Sequence, residues 1–308
     1  MDKEFQKYFD AQILNIKKIG HKGNNQLFEI MLNNRQKFLL KAYSKIHMDN
    51  WKRGETEFKA LSYLWKKGFR EIPQPIKFSK EENLGVYSFE DGRILKLEEI
   101  KKEHVEKAVD FLVKLHNLRN KDKQFFQPAS SACLCLKDYV EVIDRRLSKI
   151  INFKAEENVE KRAREFLDNE VIPKIKKLKE EFFEKAKKEK LDLKKELSMD
   201  EQVLTPADFG FHNILFKNGH CKFLDFEYFG KDDPARQILD FLHHAQSANI
   251  NDNLKNYFVE LYIKKRKLSY DFRKRLNLLS PLIAITWVLI CLNVLSKKQL
   301  EHLKFAYG

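Results

Sequence analysis

The stretch 204–227 holds the residues whose types and spacing are best suited to chemistry. Two carboxylates, Asp208 and Asp225, and a carboxamide, Asn213, surround a predicted β-hairpin. One carboxylate could orient an attacking hydroxyl group while the other oxygens hold Mg²⁺ on a phosphate chain, which is the chemistry of phosphoryl transfer. Each residue alone could equally cap a turn or end a strand. The hairpin is predicted from the strands Ile214–Phe216 and Cys221–Leu224 and the turn Lys217–His220.

The spacing of these residues indicates more than their types. Asn213 follows Asp208 by five residues, the step between the catalytic Asp and the metal-binding Asn of kinase catalytic loops. Asp225 follows at the end of the second predicted strand, where kinases keep a metal-binding Asp. The tripeptide 208–210 spells Asp-Phe-Gly, but it precedes the hairpin. Asp208 therefore takes the catalytic-loop position and not the metal-binding one.

Upstream, the pattern predicts a small antiparallel sheet. Short runs of alternating apolar and polar residues are separated by turn residues, which is typical of half-buried strands. The turn at 20–25 contains Gly20 and Gly23, and its backbone N–H groups could cradle phosphates, although an ordinary hairpin would use two glycines equally well. The predicted strands are Ile13–Ile19, Leu27–Leu32, Lys37–Tyr43, Ile76–Phe78 and Leu84–Phe89.

A lysine in the third predicted strand and a glutamate in the next helix could form an ion pair. Lys41 stands where a kinase keeps the lysine that holds the α- and β-phosphates, although a strand lysine more often points into water. The helix is predicted over Trp51–Lys67, with Glu55 and Glu57 near its start. Glu57 is the predicted partner, because Leu61, four residues on, is apolar and shares its face.

A polar tract, Ser88–Gly92, is predicted to connect this sheet to a larger helical region. Free backbone groups in such a connector could meet the edge of an adenine base, which makes Phe89 and Glu90 candidate nucleotide-binding residues. We therefore predict an N-terminal nucleotide-binding lobe at 1–90 and a helical catalytic and substrate lobe at 91–308.

Helical periodicity dominates the second predicted lobe. Residues 155–198 are charged and are interpreted as an insert, with ten lysines against five acidic residues between Lys174 and Lys195. A basic helix of this kind could touch a membrane or a nucleic acid, but a solvated helix packed by one apolar stripe is favoured. The predicted helices are Lys101–Leu118, Lys137–Ile151, Glu157–Leu197 with an interruption near Pro173, and Ala235–Ala245.

Polar residues interrupt the last of these helices. Asp240 lies among apolar residues and needs hydrogen-bond partners, for which the backbone of the 208–213 loop is a candidate. His243 and His244 form a metal-binding candidate without a third ligand. The later segment Leu278–Leu295 is almost as long as a membrane span, but its polar residues and Pro281 favour a helix buried in the lobe.

Composition excludes a disordered chain and leaves the partners open. The 308 residues are 43% apolar and 34% charged, which suits one large domain or two lobes. The net charge of +14 reflects a general richness in lysine, so we expect neither a nucleic acid nor a membrane as partner. The four cysteines show no C-x-x-C pair, and residues 1–10 lack the apolar core of a signal peptide, so we expect a cytoplasmic protein.

With these residues assembled, the sequence resembles the aminoglycoside phosphotransferase and choline kinase family. The segment 208–215 is similar to the family's catalytic loop, and 223–228 resembles the metal-binding segment of choline-kinase-type members. The segment 23–28 resembles the N-terminal phosphate loop, and Leu115-His116 the end of the first helix of the large lobe. The resemblance implies an α+β, protein-kinase-like bilobal fold with a small antiparallel β-sheet lobe and a larger, mostly helical lobe.

The resemblance also implies a role for each candidate residue. Asp208 would be the catalytic base, and Asn213 and Asp225 would bind Mg²⁺. Lys41 would hold the phosphates of ATP, with Glu57 as its partner. The remaining nucleotide-binding candidates are Gly23, Asn25, Phe89 and Glu90.

The implied reaction is transfer of the γ-phosphoryl group of ATP to a hydroxyl group of a small molecule such as a sugar, an amino alcohol like choline, or an aminoglycoside. Phe226, Tyr228, Phe229 and Trp287 are candidates for recognising a quaternary ammonium. The sequence departs from the family at Pro206, where a His usually precedes the catalytic Asp by two residues. This departure favours a pseudokinase-type binding or scaffold protein as the alternative, and a basic nucleic-acid or membrane-surface binder is a third hypothesis.

Overall fold

The computed structural model describes residues 2–19, 25–44, 51–153 and 158–295. The chain divides into two units. The first comprises the described residues of Met1–Leu95 together with Phe211–Phe229, and the second comprises Lys96–Gly210 and the described residues that follow Phe229. The first unit is therefore assembled from two separate stretches of sequence. The lobe boundary predicted between residues 90 and 91 stays a prediction.

Strands occur mainly in the first unit. Its five-stranded antiparallel sheet has the order β1-β2-β3-β5-β4, and a separate hairpin pairs β7 with β8. In the second unit β6 pairs with β9. The strands are β1 Ile13–Lys18, β2 Asn25–Leu32, β3 Lys37–Tyr43, β4 Pro75–Ser79, β5 Leu84–Ser88, β6 Val203–Thr205, β7 Ile214–Lys217, β8 His220–Phe223 and β9 Gly230–Asp232.

Helices make up most of the second unit. Single turns of 3₁₀ helix occur at Leu97–Glu99, Phe211–Asn213, Ala245–Ser247 and Asn293–Leu295. The α-helices are α1 Asp2–Gln6, α2 Arg53–Lys66, α3 Lys102–His116, α4 Asn120–Lys123, α5 Leu136–Ile150, α6 Asn158–Phe166, α7 Ile172–Lys188, α8 Pro234–His243, α9 Asp252–Arg266 and α10 Tyr270–Leu292.

The sheet of the first unit has one face on an apolar core. Along β2, Phe28, Ile30 and Leu32 are buried and alternate with half-buried residues, as the two-residue period of a strand requires. Leu40 of β3 and Val86 of β5 complete the same layer. The five predicted strands are thus found, with ends that differ by one or two residues.

Helix α2 packs closely beside this sheet. A Cβ atom added at Gly54 would lie 2.7 Å from Tyr43 Cδ2 and 2.8 Å from Phe78 Cε2, so the first turn of the helix needs glycine there. Leu61 and Leu64 are buried on the same side of the helix. The residue one turn after Gly54, Glu57, is consequently directed toward the sheet.

The predicted hairpin is present, and within the first unit its backbone bonds to residues that precede β4 and follow β5. Asn218 (φ +47°) and Gly219 (φ +75°) form its two-residue turn, since a tight hairpin turn needs left-handed residues. The Phe223 N–H donates to the Glu71 carbonyl at 2.7 Å. Arg93 and Phe216 exchange two backbone hydrogen bonds of 3.1 and 2.9 Å. These bonds hold residues 211–229 to the sheet unit.

The core of the second unit is helical, with α10 packed against α5, α7 and α8. Leu279, Leu282, Ile283 and Leu289 of α10 are buried. By length and composition α10 is also the one helix in the described part of the chain that could cross a membrane, which is weak evidence because a buried core helix passes the same test. The burial of these side chains fits the predicted core helix.

The predicted helix Glu157–Leu197 differs from the structure in two respects. Its α-helical part ends at Lys188, and residues 189–197 contain turns but no helix. Pro173 does not interrupt the helix, because it occupies the first turn of α7, where its missing N–H has no helical partner to lose. The irregularity precedes it as a π-helical segment, Leu167–Val171. Together the sheet and the helices make the α+β class that the sequence predicts.

Candidate active site

Lys41 lies at the centre of a buried ion cluster in the first unit. It stands on β3 opposite Gly85 of β5. Its Nζ lies 2.7 Å from Glu57 Oε2, 2.9 Å from Asp225 Oδ1 and 3.8 Å from Glu227 Oε2. The cluster therefore brings a strand, a helix and the segment after the hairpin around one ammonium group.

Glu57 uses both oxygens of its carboxylate. Oε2 also accepts a hydrogen bond from the Tyr43 hydroxyl at 2.7 Å, and Oε1 accepts the Phe226 backbone N–H at 3.2 Å. The Tyr43 hydroxyl lies 2.7 Å from that of Tyr87. Burial, together with the charge of Glu57, raises the pKa of both tyrosines well above its usual value, so both remain neutral. Glu57, and not the exposed Glu55, is thus the partner of Lys41, as its helix face predicts.

Asp225 has a left-handed backbone, with φ at +64°. Aspartate is one of the few residues besides glycine that adopts this conformation at moderate cost. The chain is held on both sides of it, since the Leu224 N–H donates to the Asn213 carbonyl at 2.9 Å and the Phe226 N–H donates to Glu57. Its side chain remains 31% exposed, more than the other acids of the cluster. Asp225 is therefore a rigidly placed carboxylate that a ligand can still reach.

Glu227 is a third acid of the cluster, and its side chain is only 4% exposed. Its Oε2 accepts a hydrogen bond from Asn25 Nδ2 at 2.6 Å. Its backbone carbonyl accepts the Trp51 indole N–H at 2.7 Å. Asn25, a predicted nucleotide-binding residue, is thus linked to the cluster through Glu227. Sequence reasoning did not select Glu227 as a site residue, although its position two residues after Asp225 was a usable signal.

The charges of this cluster do not balance. Burial by itself lowers the pKa of Lys41, but the charges of Asp225, Glu57 and Glu227 outweigh this effect and raise that pKa well above its usual value. One ammonium ion therefore faces three carboxyl groups. Ligand oxygens of the three acids lie within 4.8 Å of one another. A set of hard oxygen donors with excess negative charge suits a divalent cation such as Mg²⁺.

Asn213, the other predicted metal ligand, belongs to the same unit. It ends the 3₁₀ turn Phe211–Asn213 and directly precedes β7. Through its carbonyl it binds Leu224, the neighbour of Asp225. The hairpin therefore brings the backbones of the two predicted metal ligands together, although eleven residues separate them in the sequence.

The remaining nucleotide-binding candidates lie outside this cluster or outside the described residues. Gly23 falls in the segment 20–24, which the structure does not describe. Glu90 accepts a hydrogen bond from Ser88 Oγ at 2.5 Å and pairs with Lys222 Nζ at 2.9 Å. The Phe89 ring faces the ammonium group of Lys37 at 5.3 Å. Both side chains thus interact with nearby residues of the first unit.

Asp208 belongs to the second unit and follows β6 in a tight turn. Ala207 has φ at +66°, and its N–H donates to Thr205 Oγ1 at 2.9 Å. The Thr205 hydroxyl in turn donates to Gln237. The Asp208 N–H donates to the Pro206 carbonyl at 2.9 Å. The turn presents an Asp208 side chain that is about one-third exposed, at 32%.

His244 lies near Asp208, although no role in catalysis is predicted for it from the sequence. Its Nε2 lies 3.3 Å from Asp208 Oδ1, and its ring lies 4.2 Å from the Trp287 ring between centroids. His243 contacts Ser280 Oγ at 2.8 Å through its own Nε2. The two adjacent histidines therefore have separate partners and do not form the metal-binding pair considered from the sequence.

Asp240 also has partners other than those expected. Its Oδ1 accepts the Trp287 indole N–H at 2.9 Å, and its Oδ2 accepts the Arg236 Nε–H at 3.1 Å. The expectation that the backbone of the 208–213 loop satisfies this carboxylate is wrong, because a charged side chain and an indole lie closer on the packed helices.

The aromatic candidates for cation recognition differ in accessibility. Phe226 and Phe229 are buried against each other, with ring centroids 6.0 Å apart. The Tyr228 ring is half-buried and faces the Arg53 guanidinium at 5.2 Å. Of these four rings, only those of Tyr228 and Trp287 retain partial exposure.

Known proteins resemble this chain in family and in fold. A model of the APH phosphotransferase enzyme family matches residues 15–266. The solved structure of spectinomycin phosphotransferase APH(9)-Ia, in complex with ADP and spectinomycin, superposes with a TM-score of 0.66 at 13% identity, covering 99% of this chain and 92% of that chain. A choline kinase from Cryptosporidium parvum superposes with a TM-score of 0.63 at 16% identity, covering 99% of this chain and 93% of that chain.

A choline kinase from Streptococcus pneumoniae gives a TM-score of 0.62 at 14% identity, covering 99% of this chain and 95% of that chain. No curated protein sequence matches the chain. At these identities the solved structures report on the fold. They confirm the predicted kinase-like α+β fold of the aminoglycoside phosphotransferase and choline kinase type.

Proposed function

The chain belongs to the phosphotransferase enzyme family, and from this we propose that it is an ATP- and Mg²⁺-dependent kinase that phosphorylates a hydroxyl group of a small molecule. The observation that carries the proposal is the contact of Lys41 with both Glu57 and Asp225, at 2.7 and 2.9 Å. A structural lysine needs one counter-ion. Three buried or half-buried carboxyl groups around one lysine are costly unless a further cation joins them.

Each member of the cluster has a distinct task in this proposal. Lys41 binds the α- and β-phosphates, and Glu57 holds the lysine in place with the help of Tyr43. Asp225 and Asn213 hold Mg²⁺, which neutralises phosphate charge when it is bound. Glu227 adds negative charge beside them and fixes Asn25 at the start of β2.

Asp208 acts as the catalytic base. It orients the acceptor hydroxyl and accepts its proton as the acceptor oxygen bonds to the γ-phosphorus and the bond from that phosphorus to the β,γ-bridging oxygen breaks. ADP is the leaving group. Asp208 needs no raised basicity for this task, because correct placement of the hydroxyl supplies most of the rate and the proton leaves late.

The acceptor is a small hydroxylated molecule in this proposal. The similar solved proteins include a kinase of spectinomycin and kinases of choline, so a sugar, an amino alcohol or an aminoglycoside is the first class to test. We also propose a cytoplasmic location, without a nucleic acid or a membrane as partner.

The experiment begins with ATP. Mg²⁺ and ATP together should raise the thermal unfolding midpoint, because a ligand that binds only the folded state stabilises it by about 2.7 kcal/mol at one hundred times its dissociation constant. Slow ATP hydrolysis should then be lost in Asp208→Ala and Asp225→Ala and kept in Asp252→Ala, whose side chain is 91% exposed on α9. A failure of the wild-type protein to bind ATP would end the kinase proposal.

A scaffold protein of the pseudokinase type is the second candidate, and Pro206 is the observation that favours it. A screen of metabolite extracts for transfer of labelled γ-phosphate separates the two. A phosphorylated product that depends on Asp208 supports the kinase. Binding of ATP without phosphorylation of any alcohol in a broad panel supports the scaffold.

A further inference from the structure

The proposed catalytic base has a neighbour whose chemistry the family assignment does not explain. His244 follows α8 directly, and its side chain is only 11% exposed. Its Nε2 lies 3.3 Å from Asp208 Oδ1, although 35 residues separate the two in the sequence. The position two residues before Asp208 is Pro206, which has neither a backbone N–H nor a polar side chain to offer that carboxylate.

The hydrogen bonding of His244 defines which of its ring nitrogens carries the proton. Nδ1 accepts the backbone N–H of Gln246 at 3.0 Å, in the single 3₁₀ turn Ala245–Ser247. A nitrogen that accepts a hydrogen bond carries no proton, so the neutral ring has its N–H at Nε2. The nitrogen that carries this proton lies 3.3 Å from Asp208 Oδ1.

The imidazole is also fixed in position by its surroundings. Its backbone N–H donates to the Asp240 carbonyl at 2.8 Å, and its ring packs against Trp287. Trp287 is held in turn by its indole N–H bond to Asp240, whose second oxygen binds Arg236. The donor at Nε2 therefore sits on a buried, hydrogen-bonded support and not on a mobile loop.

We propose that His244 is a positioning residue for Asp208, and that its Nε2–H is directed to Oδ1 of the carboxylate that orients the acceptor hydroxyl. This inference rests on the proposed function of Asp208. A carboxylate in a tight turn can rotate about its side-chain bonds, and a donor fixed at one oxygen removes that freedom. The contact of 3.3 Å is at the long end of the range for hydrogen bonds.

The test compares substitutions that keep or remove the donor. In His244→Gln the amide nitrogen reaches roughly as far as Nε2 and can still donate, whereas His244→Leu keeps the bulk and has no donor. His243→Leu is the matched control, because its ring has the separate partner Ser280. Each folded variant is assayed for Mg²⁺-dependent ATP hydrolysis, with water as acceptor, and for transfer to an acceptor once one is found.

We expect kcat to fall about 100-fold in His244→Leu, with the KM for ATP unchanged, and to recover to within about tenfold in His244→Gln. His243→Leu should keep kcat within about twofold. A purely structural role for His244 would lower the unfolding midpoint equally in the Gln and Leu variants and would not separate kcat from KM. An unchanged kcat in folded His244→Leu would overturn the proposal.

A second measurement does not depend on activity. Long-range ¹H–¹⁵N spectra of the wild-type protein should show His244 as the Nε2–H tautomer, and its Nε2 signal should move in Asp208→Ala. An Nδ1–H tautomer, or a signal unaffected by that substitution, contradicts the inference. If the wild-type protein neither hydrolyses ATP nor phosphorylates any acceptor, the proposed function fails, while these spectra still decide whether His244 serves Asp208.

Discussion

Lys41 and Glu57 form an ion pair in which both side chains are almost fully buried, at 8% and 6% exposed. Replacing the lysine should destabilise the fold more than replacing the glutamate. Lys41→Met leaves three acids without a counter-ion and should lower the free energy of unfolding by about 3–5 kcal/mol. Glu57→Gln keeps one acceptor oxygen, places an amide donor at the other position and relieves part of the repulsion, so it should cost less, about 1–2 kcal/mol.

Urea denaturation in the absence of divalent cations measures this difference, with the exposed Glu55→Gln as control. Added Mg²⁺ should stabilise Lys41→Met more than the wild-type protein. If the Lys41 and Glu57 variants lost equal amounts of unfolding free energy, the inferred excess of negative charge around Lys41 would be contradicted. Both variants should lose ATP turnover.

The left-handed backbone of Asp225 predicts that two substitutions with the same loss of charge differ in stability. Asn adopts a positive φ readily, whereas Ala does so at a cost of about 1–2 kcal/mol. The thermal unfolding midpoint of Asp225→Asn should therefore equal or exceed that of the wild-type protein, and the midpoint of Asp225→Ala should be lower. Calorimetry of both proteins tests this, and both should be inactive. A less stable Asn variant would argue against strain at this residue.

Asp232 should make stability depend on pH. Burial raises the pKa of this carboxyl to about 7, although Arg236 and the N–H groups of Cys133 and Asp233 oppose the shift. Since the pKa is raised on folding, the unfolded chain ionises first, and rising pH favours unfolding between the unfolded value of 3.8 and about 7. The stabilisation is complete below that window and lost above it.

Asp232→Asn should remove this dependence, because the amide oxygen can still accept from Cys133 and Asp233. We expect the difference in unfolding free energy, variant minus wild type, to increase by a few kcal/mol as pH rises from about 4 to about 7. Denaturation at a series of pH values measures it. The exposed Asp252→Asn serves as control and should show no such trend.

Asp233 should be the most important helix cap of the second unit. It caps α8 through Ala235 N–H at 2.8 Å and also binds the Tyr139 hydroxyl at 2.7 Å and the Arg275 guanidinium at 2.5 Å. Asp233→Ala leaves a buried hydroxyl and a cation without their acceptor and should cost about 3–5 kcal/mol. Ser269→Ala, at the exposed cap of α10, should cost about 1 kcal/mol. A similar loss of unfolding free energy in Asp233→Ala and Ser269→Ala would contradict the greater importance of Asp233.

The sequence predicts those parts of the site that lie in regular elements. Lys41 and Glu57 could be paired in advance because strand and helix periods set the directions of their side chains. The hairpin turn at Asn218 and Gly219 follows from the need for left-handed residues. The same reasoning placed Asn213 and Asp225 at the two ends of the hairpin.

Other parts depend on information that a local pattern does not contain. Glu227 joins the cluster because the positive φ of Asp225 turns the chain, and no periodicity reveals that turn. His244 lies beside Asp208 because β6 and α8 are in contact, as the bond from the Thr205 hydroxyl to Gln237 of α8 shows, and a local pattern does not predict that contact. The charged pattern predicts a helix beyond Lys188, because it continues past that residue, but the chain forms turns there.

The discontinuity of the first unit has a consequence for how the protein is made. The ribosome completes the five-stranded sheet long before residues 211–229 exist, so Lys41 and Glu57 are synthesised without Asp225 and Glu227. At roughly 5–20 residues per second, about 6–23 s pass between residues 95 and 211. During that interval the nascent sheet lacks the backbone bonds that Glu71 and Arg93 form with the hairpin. The unit therefore becomes whole only after most of the other unit has left the ribosome.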